Sequence, residues 1–296
     1  MLTEQPARQD TTPVRDQLLS FLFRHRAADT NQLHAMLGPG RHLRYTRRCL
    51  RELRAEGLVE SSVRAHHCSV WALSRHGISQ IGAWPEFRAQ RVRALSPASV
   101  RHAHTLAVTR SALAFLHDAR AREDEFSPLD WQPEVAHPLR DGTADGERML
   151  IADAVMRYTR TAPTRALLRA FIEVDRATES PERLARKLIT YARFHSARPL
   201  PRRGAAAADG LPQWQRSYPR FPRVLFLLTN AGPRALAQRV SDLQAMARQH
   251  PLVSSFAAEV PLGVALLEEV EEAGASGPVW TSLTHTPGGK RSWMNL

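Results

Sequence analysis

The stretch RAFIEVDRATESPERLARKLITYARF, residues 169 to 194, ends an apolar run with Glu173 and Asp175 and then continues into a helical pattern that carries one lysine, Lys187. Residues i and i+2 of a strand project from one face, which sets the two carboxylates side by side. An earlier run, LIADAVMRY, carries Asp153, and antiparallel pairing would bring it beside them. Three carboxylates gathered at one end of a sheet form an oxygen-rich site for Mg²⁺ or Mn²⁺, with room for a phosphate and its attacking water. Lys187 lies one helical turn before Tyr191, and its ammonium could orient that water or stabilise a developing charge. Asp153, Glu173 and Asp175 are therefore candidate metal ligands and, with Lys187, a candidate catalytic set. Two plainer readings stay open: Lys187 extends into solvent, or Arg176 or Arg183 pairs with Glu173 or Asp175 and locks strand to helix without a metal.

A second constellation lies near the N-terminus. From about His42 to Glu56 the pattern is helical, with Leu43, Thr46, Leu50 and Leu53 along one side and Arg44, Arg47, Arg48, Arg51 and Arg54 over much of the rest. Two helical segments precede it, the second opening at the N-cap candidates Asp29 and Thr30. Two strand-like runs follow, 58–63 and 69–73, joined by the basic turn Arg64-Ala65-His66-His67. Helix, helix, helix, hairpin is the order of a winged helix, which presents its third helix to the major groove and its hairpin to the DNA backbone or minor groove. Arg44, Tyr45, Arg47, Arg48, Arg51, Arg54, Arg64 and His66 are thus the candidate contacts to double-stranded DNA. A winged helix used only for protein contacts is the competing reading.

Composition agrees with a polyanionic partner. The formal charge is +12, and lysine occurs only at Lys187 and Lys290, so nearly all of the 41 basic residues are arginine, whose planar fork suits phosphate and guanine. The charges are interspersed with apolar residues, as in a folded chain. Cys49 and Cys68 make no disulfide framework, the N-terminus lacks the apolar core of a signal peptide, and no run approaches the roughly 18 apolar residues of a membrane helix. The expectation is a cytoplasmic protein with no membrane contact. Whether it forms a homodimer is left open.

These residues must be positioned by the elements around them. We expect a disordered, polar N-terminus over 1–12, the winged helix over 13–97, a connecting helix over 98–126, an α/β domain over 127–272 and a flexible, Gly/Ser/Thr/Pro-rich tail over 273–296. In the α/β domain, strands are expected at 131–139, 149–158 and 166–174, with a helix over Pro181–His195 that has Ser180 as N-cap and Pro181 at its first position. An apolar strand RVLFLLT, a helix over 233–248, a strand over 254–260 and a short helix over 261–272 follow. The fold class is α+β or α/β with a mixed sheet.

The pattern IADAVMRY … AFIEVDRATESPERLARKLITYARF resembles the central motif of the replication-relaxation family of plasmid and integrative-element proteins. The resemblance implies a winged helix ahead of a domain similar to the PD-(D/E)XK nucleases. It further implies a role in plasmid replication, DNA relaxation or mobilisation beside a relaxase, replication or transfer protein. On that pattern Asp153 matches the first acid, with Ala152 where proline is usual, and Glu173 the second. Asp175 stands where the nucleases carry lysine, so Lys187 would have to supply the charge from the helix. The expected function is a DNA-binding accessory protein. A metal-dependent endonuclease or nickase and a winged-helix transcriptional regulator are the alternatives.

Overall fold

A computed structural model describes residues 13–38, 40–63, 69–90, 92, 94–95, 102–139, 149–198, 212–284 and 289–296. It is a mixed α+β protein whose chain divides into two compact units, 1–109 and 110–296, and the division falls inside one helix. The division falls within the segment expected as a connecting helix, 98–126. Among the described residues, no helix is long and apolar enough to cross a membrane.

In the first unit, α1 (Val14–His25), α2 (Thr30–Leu37) and α3 (Leu43–Ala55) precede the hairpin of β2 (Val59–Val63) and β3 (Ser69–Leu73). Two elements escape the sequence pattern: β1 (Ala27–Asp29) and α4 (Arg75–Gly82). Strand β1 is too short to show alternation, yet it pairs antiparallel with β3, and the sheet order is β1-β3-β2. Asp29 is the N-cap of α2: it accepts from the Gln32 amide at 2.8 Å, while Gln32 Oε1 accepts from the Asp29 amide at 3.0 Å. This reciprocal pair satisfies two otherwise orphaned donors and ties the end of β1 to the start of α2. Leu18, Leu22, Leu33, Leu50 and Leu53 are fully buried and form the centre of this unit.

The second unit is built on a six-stranded sheet of order β4 (Trp131–Pro138), β5 (Met149–Arg160), β6 (Ala166–Asp175), β7 (Arg223–Leu228), β8 (Leu262–Leu266), β9 (Thr281–Ser282). Strands β4, β5 and β6 pair antiparallel, β6, β7 and β8 parallel, and β9 antiparallel. Helix α6 (Pro181–Ser196) makes the crossover from β6 to β7, and α7 (Pro233–Gln249) with α8 (Pro251–Glu259) the one from β7 to β8. Parallel neighbours require such crossovers. One sheet face, with Phe171, Val224, Phe226 and Val264, packs on Leu184, Leu188 and Tyr191 of α6, Leu243 of α7 and Phe256 of α8. Against the opposite face lies Phe115 of α5 (His102–Ala121), with its ring 5.9 Å from Trp131, 6.2 Å from Trp280 and 5.8 Å from Trp293.

Two expectations are corrected here. Residues 254–259 are helical, within α8, and the strand is Leu262–Leu266, followed by α9 (Leu267–Ala273). A short apolar run without alternation does not distinguish strand from helix; Pro251 at the first position and Val253, Phe256 and Ala257 at helical spacing decide for α8. Residues 273–296 are no free tail: Trp280, Leu283, Trp293 and Met294 are buried. Their Gly- and Ser-rich surroundings hide two core tryptophans. Asp118 of α5 accepts from the Ser276 amide at 2.9 Å, which holds this segment against the helix.

Trp293→Ala should lower the unfolding free energy of the second unit by about 3–5 kcal/mol, the usual cost of truncating a buried aromatic. Urea denaturation followed by tryptophan fluorescence and circular dichroism would measure it, and an unchanged midpoint would return residues 273–296 to the status of a tail.

Candidate functional site

The site of the second unit begins with an irregularity in β4. Trp131 and His137, six residues apart, should face the same way in a regular strand. Trp131 packs on Phe115, whereas the His137 ring lies 5.4 Å from Phe171 and 5.1 Å from Phe194, on the other side of the sheet. The strand therefore turns over between them. Glu134, with φ of +52°, is the residue where the backbone leaves the extended region. Strand β5 follows: Val155 and, at odd spacing from it, Ala152 both join the helix-side core.

Asp153 sits at this turnover. The pairing of β5 with β6 runs from Arg160↔Ala166 to Ala154↔Ile172 and stops there. One step further Asp153 Oδ2 accepts from the Val174 amide at 2.8 Å, so a carboxylate replaces the strand ladder where the sheet splays. A cleft of about 250 Å³ opens there, lined by Ile151, Glu173, Glu179, Arg183, Arg186 and Lys187.

Helix α6 fills the base of the splay. Ser180 is its N-cap and Pro181 its first residue, as the sequence predicts. Leu184, Leu188 and Tyr191 anchor it in the core and direct Lys187 toward the strand ends. Lys187 Nζ lies 2.9 Å from Glu173 Oε2, 3.5 Å from Glu179 Oε2 and 3.8 Å from Asp153 Oδ2. Tyr191 donates its hydroxyl to Glu173 Oε1 at 2.6 Å. Glu173 is only 1% exposed, and burial, reinforced by the charge of Asp153, pushes its pKa up to about 7 against the pull of Lys187 and Tyr191. Burial works against the Lys187 charge, but Glu173 and Asp153 outweigh it and hold the ammonium well above its ordinary range.

Asp175 takes another course. Arg239 of α7 donates to Asp175 Oδ2 and, through Nη2, to the Glu179 carbonyl at 2.7 Å, while the Ala177 amide donates to Asp175 Oδ1 at 2.9 Å. Asp153, Glu173 and Lys187 thus converge, and Asp175 is held by Arg239. Among the described residues no three His, Cys, Asp or Glu side chains are placed to hold a metal ion. The carboxylates do not fit a metal as arranged: their oxygens are directed to Lys187, Tyr191, the Val174 amide and Arg239. The strand-to-helix pairing that Arg176 or Arg183 could make is made instead by Lys187 and Arg239. The sequence pattern does not single out Glu179 or Arg239. Glu179 lies within the same stretch of sequence as the acids, but nothing local marks Arg239 among so many arginines.

In the first unit, α3 buries Thr46, Cys49, Leu50 and Leu53 and exposes Arg44, Tyr45, Arg47, Arg48, Arg51 and Arg54. The Arg48 guanidinium stacks over the Tyr45 ring at 5.1 Å and lies 3.6 Å from Glu52. Among the described residues Arg44, Arg47, Arg51 and Arg54 have no acidic partner. Arg64 and His66 lie outside the described residues.

A mixed α+β chain with an arginine-faced helix in one unit and a lysine-locked acidic strand end in the other is the class these observations define. The replication-relaxation family matches residues 19–207, and the chain belongs to that family. No curated protein and no solved structure matches it. Membership suggests a role in the replication or relaxation of a plasmid or mobile element. The match takes in Asp153, Glu173, Asp175 and Lys187 and ends before Arg239.

Lys187→Met should destabilise the second unit by about 3–5 kcal/mol, because it strands a buried carboxylate. Adding Glu173→Gln should recover part of that loss, a coupling that a double-mutant cycle reads directly. The pH dependence has a definite sign. The folded pKa of Glu173 lies above its ordinary 4.5, so its contribution to stability is full below that value and is lost as pH rises through about 7. Chemical denaturation between pH 5 and 8 should show a decline of on the order of 2 kcal/mol in the wild type that Glu173→Gln lacks.

Proposed function

We propose that the chain is a DNA-binding accessory protein of a mobile genetic element, acting in replication, relaxation or mobilisation. In this reading the first unit is a winged helix that places α3 in the major groove of duplex DNA, with Arg64 and His66 of the β2–β3 turn on the backbone. The second unit is a nuclease-like domain that has lost catalysis and serves as a platform for DNA or for a relaxase, replication or transfer protein. The observation that carries the DNA reading is the outer face of α3, where five arginines and Tyr45 stand exposed and four of the arginines have no acidic partner among the described residues. Unneutralised guanidiniums on one helix face match the spacing and charge of phosphates and guanine edges. The loss of catalysis is supported by the internal partners of Asp153, Glu173 and Asp175.

One observation favours a second reading, a Mg²⁺- or Mn²⁺-dependent endonuclease or nickase: Asp153, Glu173 and Lys187 converge, and Glu173 and Lys187 line an open cleft. The two readings part on a supercoiled plasmid incubated with the protein in Mg²⁺, Mn²⁺ or EDTA. The accessory reading expects intact plasmid throughout; metal-dependent nicking that disappears in Glu173→Ala would replace it with the enzyme.

DNA binding is tested by fluorescence anisotropy with a short duplex. The affinity should fall steeply with salt, and Arg47→Gln with Arg51→Gln should weaken it and flatten the dependence of log K on log salt by about 0.9 for each phosphate contact removed. An affinity indifferent to salt would sink the reading.

A further inference from the structure

We infer that the second unit carries its own nucleic-acid contact, on the open sheet surface at Arg157 of β5 and Arg169 of β6, apart from the cleft at Lys187. This inference rests on the reading of the chain as a DNA-binding protein and adds a second site to it.

Arg157 and Arg169 are direct cross-strand partners. Directly opposed residues stand about 4.5–5.5 Å apart at Cβ, and like charges in that position repel. The sheet could relieve the repulsion with one acid, yet neither arginine has an acidic partner among the described residues. Two acids at that end of the sheet are engaged elsewhere: Glu125 pairs with Arg165 at 2.8 Å, and Asp124 accepts from Arg122 at 3.1 Å and from the Tyr158 hydroxyl at 2.8 Å. Both arginines project from the face that carries Val155 and Phe171 into the helix-side core. They stand beside Tyr218, where their charges oppose the upward shift that burial gives its hydroxyl.

Among the described residues this part of the face is open at Leu167 and Arg157, while Arg169 is half-buried. Two residues before Arg169 on the same face, Leu167 is 75% exposed, and Arg157 opposite is exposed too. Arg157 is four residues beyond Asp153, about 13 Å along the strand, and the Phe171–Tyr218 packing lies on that face between Arg169 and Glu173. The patch is therefore separate from the cleft.

Its chemistry names the occupant. Two guanidiniums held at strand-pair distance offer paired N–H donors to phosphate oxygens, and an oxyanion seated between them removes their mutual repulsion. Leu167 beside them adds an apolar surface for a sugar face. In a chain of charge +12, a pair of arginines with no acidic partner among the described residues is complementary to the backbone of DNA.

The test compares the full chain with Arg157→Gln/Arg169→Gln and, separately, Arg47→Gln/Arg51→Gln, by anisotropy on a short fluorescent duplex over a range of salt. The sheet variant should bind about five- to tenfold more weakly, with a salt slope shallower by about 1.8, the value for two lost phosphate contacts. A photoreactive benzophenone placed at Leu167 should crosslink to the DNA. A sheet variant with wild-type affinity and slope, beside a weakened α3 variant, overturns this site and leaves the proposed function standing. Weaker binding with an unchanged slope also overturns it, since the loss then comes through the fold. A crosslink to an acidic protein but none to DNA assigns the patch to a protein partner instead. If the wild type binds no duplex, the proposed function fails first.

Discussion

The second unit is organised around a buried carboxylate that water does not solvate. Glu173 sits in the helix-side core at the end of a central strand, and its two oxygens are met by Lys187 and Tyr191, one turn apart on α6. Removing a carboxylate from water costs several kcal/mol, and the partner charge offsets that cost only when it is held in place. Helix α6 is therefore bound to a single rotational setting: its apolar residues Leu184, Leu188 and Tyr191 must enter the core in the same orientation that brings the ammonium to Glu173. Arg239 does the same for α7 at Asp175, so each helix beside the strand end is oriented by one cation.

The turnover of β4 and β5 makes room for this arrangement. A regular ladder would carry β5 past Glu173 and close the strand end with backbone. Instead pairing stops at Ala154, and Asp153 uses its side chain to satisfy the Val174 amide. One residue thus keeps a donor paired and adds negative charge near Lys187, while the separation of the strands leaves the cleft. The sheet keeps its hydrogen bonds and gains an opening.

Much of this architecture can be read directly from the chain. The arginine pattern of α3, the Ser180-Pro181 start of α6 and the acidic end of β6 are local signals, and local signals survive folding. What escaped depended on distant partners. Strand β1 is three residues long and exists through its pairing with β3; α8 and β8 are both short apolar runs whose types are decided by packing. Asp175 looked like a metal ligand because its own neighbourhood is acidic, and only the fold brings Arg239 to it. The C-terminal segment misled through composition, since glycine and serine there surround two tryptophans that complete a core.

Those tryptophans also bear on the order in which the protein is made. Phe115 leaves the ribosome long before Trp280 and Trp293, the rings it packs against. The first unit has all of its own partners once α5 begins to emerge, and units synthesised first can fold first. For the second unit, the free edge of β8 and the part of the sheet face beside Phe115 that Trp280 and Trp293 fill stay uncovered until the residues after α9 arrive. Translation therefore leaves part of an apolar sheet face open until Trp280 and Trp293 emerge to complete the packing around Phe115.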